Sequence, residues 1–124
     1  MKNLQVGQKA SEKRIFTEAD VREYCDLIAV DLQDPRRVPV PLLGGMFSRL
    51  LGTRLPGRGT NYLKQRLEFH RAAAVGEEIE AQVEIIRLRP EKQLVNLRTV
   101  CSNAAGEIVC EGEALVLVQD VQAP

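Results

Sequence analysis

The chain is poor in the residues from which active sites are most often built. In 124 residues it holds one histidine, three cysteines and no tryptophan, and aromatic residues make up 4%. One imidazole and no Cys-x-x-Cys pair leave no ligand set for a transition metal, so neither a metal nor a cofactor is expected. Cys25, Cys101 and Cys110 fit no zinc spacing, and at least one stays unpaired in a monomer. Disulfides persist in oxidising compartments, so these are expected to be buried thiols in a reducing cytoplasm. Net charge is missing too, with 17 basic against 17 acidic residues. That balance gives no electrostatic reason for nucleic acid or a membrane surface. No apolar run approaches the ~18 residues of a membrane span, and "MKNLQVGQKA" has no apolar signal region.

What is there is an ordinary globular mixture, 44% hydrophobic and 27% charged. The length suits one domain over residues 1–124, and a chain of that size buries roughly two thirds of its surface on folding. A short strand is expected within residues 4–16, ending at "RIF". "TEAD" at 17–20 reads as a capping box, and Val21, Cys25 and Ile28 share one face of a helix over 18–29. "PLLGGMFSRLL" at 41–51 carries one charge, Arg49, which predicts a buried helix with Gly52 at its C′ position. Its Met46, Phe47, Leu50 and Leu51 suit a core, while Gly44 and Gly45 let a backbone or a ligand come close.

Everything beyond alternates as strand. Leu63, Leu67 and Phe69 share one face. Ile79, Ala81, Val83 and Ile85 share another, as do Val95, Leu97, Thr99 and Cys101. Ile108, Cys110, Ala114, Val116 and Val118 close the series. The pattern of strand, helix, buried helix and four long strands predicts an α+β fold, one antiparallel sheet wrapped round a central helix.

Three stretches then carry a resemblance: "LLGGMFSRLLGTRLPGRGTNYLKQRLEF", "VGEEIEAQVEI" and "GEALVLV". Together, over about Val6 to Val118, they resemble the MaoC-like dehydratase family, which includes the (R)-specific enoyl-CoA hydratases. The resemblance implies a hot-dog fold and a homodimer whose sheets join edge to edge. It implies that a thioester of coenzyme A or of an acyl carrier protein binds in a tunnel at the dimer interface. Hydratases of this family carry Asp-x-Asn-Pro-x-His after the first helix. The Asp and His activate one water, and backbone N–H groups at the start of the central helix hold the thioester oxygen. That division of labour is what water addition needs: a base at the water and donors at the developing enolate.

The segment in that place is "DLQDPRRVP", residues 31–39. Asp34-Pro35 matches Asn-Pro, Asp31 lies one residue too far from the proline, and Arg37 occupies the histidine position. Arginine, with a pKa above about 12, is no base. His70 alternates onto the polar face of "RLEFHR" and is expected to be a solvated strand-end residue. The expectation is therefore a degenerate hydratase site, with Asp31 and Asp34 as its candidate carboxylates. Val40, Leu42, Gly44, Gly45 and Ser48 would form the oxyanion backbone and tunnel. An Asp/Arg loop locked by ion pairs is the plainer alternative. Two other functions stay open: a hot-dog thioesterase, and a non-catalytic acyl-CoA-binding subunit.

Residues 35–67 contain no acid but hold Arg36, Arg37, Arg49, Arg54, Arg58, Lys64 and Arg66. Arginine grips phosphate in forked geometry, so Arg54, Arg58 and Lys64 are candidates for the phosphates of coenzyme A. The alternative is a solvated face whose acids lie elsewhere in the fold. With Tyr62 the one aromatic in this run apart from Phe47, stacking platforms for nucleic acid are lacking.

Overall fold

A computed structural model describes residues 3–27 and 36–119. Strand β1 (Lys9–Ile15) leads into helix α1 (Glu18–Leu27). Helix α2 (Val40–Thr53) is followed by β2 (Thr60–Phe69), β3 (Glu78–Arg89), β4 (Leu94–Ser102) and β5 (Ile108–Val118). The sheet runs in the order β1-β3-β4-β5-β2, with every neighbouring pair antiparallel.

The capping box forms as the sequence requires. The Thr17 N–H donates to Asp20 Oδ2 at 2.9 Å, and the Asp20 N–H donates to Thr17 Oγ1 at 3.1 Å. These bonds satisfy two of the donors that a helix start leaves open. Val21 and Cys25 are the buried residues of α1. Ile28, expected on the same face, lies outside the described residues.

Helix α2 buries Leu43, Met46, Phe47, Leu50 and Leu51 against the sheet. At about 1.5–3 kcal/mol per large apolar side chain, that face contributes on the order of 10 kcal/mol before the entropy of ordering is counted. The opposite face is open in the protomer: Pro41, Gly45, Ser48 and Arg49 are exposed. The helix also runs past the expected stop. Gly52 is helical, and the backbone reverses later, where the Arg54 and Leu55 N–H groups donate to Leu50 O and the Gly57 N–H donates to Leu51 O. The left-handed glycine of this turn is Gly57, at φ 93°.

Strand alternation gives the core. Ile79, Ala81, Val83 and Ile85 of β3, Val95, Leu97, Thr99 and Cys101 of β4, and Ala114 and Val116 of β5 are all fully buried. Thr99, the buried polar residue among the described ones, accepts a hydrogen bond from Gln65 Nε2 at 3.2 Å.

Three bulges break the alternation, at Leu63, Ile86 and Val109. They account for two departures from the expected faces. Val109 is the extra residue opposite β4, so Val109 and Cys110 both turn inward while Ile108 is 37% exposed. Leu63 is itself a bulge residue and is 52% exposed, so it does not join Leu67. On the outer face the registers align Lys9, Glu84, Arg98, Glu113 and Arg66 across all five strands, a row of alternating charge. Opposite charges directly across a strand pair contribute roughly 0.2–1 kcal/mol each.

Candidate active site

Asp31 and Asp34 lie outside the described residues. From Arg36 onward the backbone is firmly held. The Val75 N–H donates to Arg36 O at 2.8 Å, the Val38 N–H donates to Ala73 O at 2.9 Å, and Arg37 bridges Ala74. The next residue, Gly76, donates its N–H to Phe16 O at 2.8 Å. Residues 73–76, which run into the start of "VGEEI", therefore tie the approach to α2 to the end of β1. Sequence reasoning assigned these residues no role; the signal was the glycine, which sits at φ 87°. Both arginines engage the rest of the molecule and both are exposed.

The first turn of α2 supplies fewer donors than a helix start usually does. Pro39 precedes it and Pro41 stands inside it, and proline has no N–H. The Leu42 N–H turns back to Pro39 O at 3.0 Å. Of the two expected oxyanion donors, Leu42 is thus engaged within the helix, and Val40 supplies the other N–H.

Beyond that turn, a groove of about 170 Å³ runs between β1 and α2, lined by Glu12, Arg14, Pro41, Leu42, Gly45, Met46 and Arg49. A side chain placed at Gly44 or Gly45 would meet nothing within 4 Å. Packing inside the protomer does not demand glycine at either position, so both leave open space along the face that carries Ser48.

The basic residues of the 35–67 interval are divided among several settings. Arg49 pairs with Glu12 at 3.5 Å, and Arg54 Nη1 donates to Ser11 O at 2.8 Å. Both bind back to β1, which supplies part of the compensating acid that the interval itself lacks. Arg58 is exposed in the turn before β2. Lys64 lines a groove on the outer face of the sheet with Arg66, Asn96, Glu113 and Leu115. Arg54, Arg58 and Lys64 therefore stand at the β1 edge, in a turn and on the outer face respectively. Desolvation pushes the pKa of the half-buried Tyr62 phenol up to about 12.

His70 follows the end of β2. Its Nε2 lies 3.6 Å from Glu111 Oε2, and Arg98 approaches the other oxygen of the same carboxylate at 3.8 Å. This cluster is on the outer face, the side of the sheet turned away from α2.

No protein-family model matches the chain. It is 33% identical over 129 residues to an (R)-specific enoyl-CoA hydratase of Rhodospirillum rubrum, with 94% of this chain and 89% of that one covered. It is 35% identical over 127 residues to an (R)-specific enoyl-CoA hydratase of Aeromonas caviae, covering 92% and 95%. The solved structure of the A. caviae (R)-hydratase involved in PHA biosynthesis superposes with a TM-score of 0.87 at 34% identity, over 96% of this chain and 100% of that one. The sheet wrapped round α2 is accordingly a hot-dog fold. The chain belongs to the (R)-specific enoyl-CoA hydratase family of MaoC-like proteins.

Proposed function

We propose that the protein binds acyl thioesters of the enoyl-CoA type at the open face of α2, and that its hydratase site is degenerate. The observation that carries this reading is the pairing of a full-length hydratase likeness with arginine at position 37. Hydration adds a water oxygen at the β-carbon and a proton at the α-carbon of the enoyl group. It needs a group that accepts the water's proton near neutral pH and donors that hold the thioester oxygen. An arginine side chain supplies no base near neutral pH. His70, held by Glu111 on the outer face, does not replace it. Asp31 and Asp34 are the remaining candidate bases, and Val40 is the remaining oxyanion donor of the two expected. Gly45 and Ser48 line the path of the acyl thioester. A homodimer would complete the tunnel.

The test is an assay with crotonyl-CoA that follows loss of enoyl absorbance beside release of free thiol. Hydration far below that of a competent family member is expected, because a positioned base or acid contributes about 10²–10⁴-fold. Efficient hydration that disappears in Asp31→Asn would refute the degenerate site and establish a one-carboxylate hydratase. Thiol release without hydration would select a thioesterase. Binding with neither reaction is the mark of an acyl-CoA-binding subunit.

A further inference from the structure

Cys101 and Cys110 are direct register partners across β4 and β5. Opposed residues of an antiparallel pair have Cα atoms about 4.5 or 5.5 Å apart, depending on the type of site. A disulfide spans Cα separations of about 4.4–6.8 Å, so either type of site falls within range. Both thiols are free and fully buried on the core side of the sheet. Interaction with Cys110 and burial hold the Cys101 thiol well above its ordinary pKa.

The pair lies beside an irregular hairpin end. The ladder is interrupted beside the pair, where Val109 is extra and Ser102 already faces Ile108. Two residues past Cys101 the chain enters the hairpin turn, closed by the Asn103 N–H to Glu107 O and the Gly106 N–H to Asn103 O, both at 2.9 Å. Hairpin ends open locally at far lower cost than the whole fold, and an oxidant close to water in size needs only a small opening.

We propose that Cys101 and Cys110 form an oxidisable dithiol that closes to an intramolecular disulfide, with a hydroperoxide as the oxidant. One of the two sulfurs attacks one peroxide oxygen, an S–O bond forms and the O–O bond breaks. The departing oxygen carries off that thiol's proton as water or alcohol. The other sulfur then attacks the sulfenic sulfur, the S–S bond forms, and the hydroxyl leaves with the second thiol's proton as water. The two sulfurs together lose two electrons, and the peroxide gains them. Cys25 sits on α1, outside the pair. The product is a covalent rung beneath the β4–β5 turn.

The experiment treats the folded wild-type protein with increasing hydrogen peroxide, traps thiols with N-ethylmaleimide under denaturing conditions, and maps the peptides. Cys101 and Cys110 should lose alkylation together and to equal extent, with the linked peptides lighter by two hydrogens. Cys25 should stay alkylated, and dithiothreitol should restore both sites. Cys25→Val should leave the cross-link unchanged. In Cys101→Val, sulfenic acid should accumulate on Cys110 and be captured by dimedone; should that variant not fold, the wild-type map decides alone. Persistent alkylation of both residues at peroxide levels that oxidise the unfolded chain would overturn the proposal. So would a disulfide to Cys25, or sulfinic acid on Cys110 with Cys101 still free.

Discussion

In the proposed degenerate site, Arg37 stands where water addition calls for an imidazole. An obvious repair, Arg37→His, is expected to restore little crotonyl-CoA hydration. Asp31 remains one residue too far from Pro35, and small misplacements of a catalytic group cost about 10²-fold. A rise to the level of a competent hydratase would show that the histidine alone was missing. A second single-residue constraint is Gly112. A Cβ there would run into the carbonyl of Arg66 and the Cα of Leu67, both backbone. Backbone cannot swing aside as a flexible side chain does. Gly112→Ala should therefore lose about 3 kcal/mol or more by urea denaturation. A variant as stable as wild type would mean that β2 can retreat from β5.

The elements show which features a sequence declares and which it conceals. The period-two runs of β4 and of β3 as far as Ile85 placed their inward residues correctly, because burial on one face leaves an alternation there. The cap at Thr17 was equally legible, since it is a local bond between residues three apart. The bulges at Leu63, Ile86 and Val109 were not, because an extra residue is defined by what lies opposite it in another strand. The end of α2 was misplaced for a related reason: Gly52 had the right chemistry for a stop, but the reversal is set by bonds from Leu55 and Gly57. For the proposed site, the residue types and the arginine at position 37 are readable in the sequence. The clamp of Val75 on Arg36 and the return of Arg49 to Glu12 arise only once distant segments meet.

The cap also gives a stability prediction. Thr17→Ala should cost about 1 kcal/mol. The Thr17 backbone and hydroxyl, followed by Arg14, hold the Asp20 carboxyl below its ordinary 3.8. A depressed folded pKa means that the contribution is fully present above the ordinary value and is lost as pH falls through the lower one. Acid titrations of unfolding should therefore show a weaker loss in Asp20→Asn than in wild type. Identical curves would remove the linkage.

At the scale of the whole molecule, β1 and β2 end the sheet, and β2 presents Tyr62, Leu63 and Phe69 at 38–52% exposure. An edge with unpaired backbone groups and large apolar side chains invites another strand. A homodimer is expected at micromolar concentration, and light scattering that finds a monomer would remove both the dimer and its shared tunnel. Coenzyme A thioesters should bind more weakly as salt rises, since exposed charge contacts are screened over about 8 Å at physiological ionic strength. Calorimetry with crotonyl-CoA checks this. Arg58→Gln should lower affinity and flatten the salt dependence, whereas Lys64→Gln, on the outer face turned away from α2, should change neither. Arg54→Gln is a less clean test, because its guanidinium also anchors the β1 edge.

The three bulges have a consequence for assembly errors. Hydrophobic alternation rejects a strand that pairs one residue out of step, because its apolar side chains would all face water. It is blind to a slip of two, which returns every side chain to its proper face. A bulge adds a different demand. Paired without the extra residue, β4 and β5 would keep their proper faces on one side of Val109 only and turn the other side inside out. Leu63 imposes the same demand on β2 with β5, and Ile86 on β3 with β4. Each of these pairings closes with its extra residue in place or leaves part of one strand facing the wrong way.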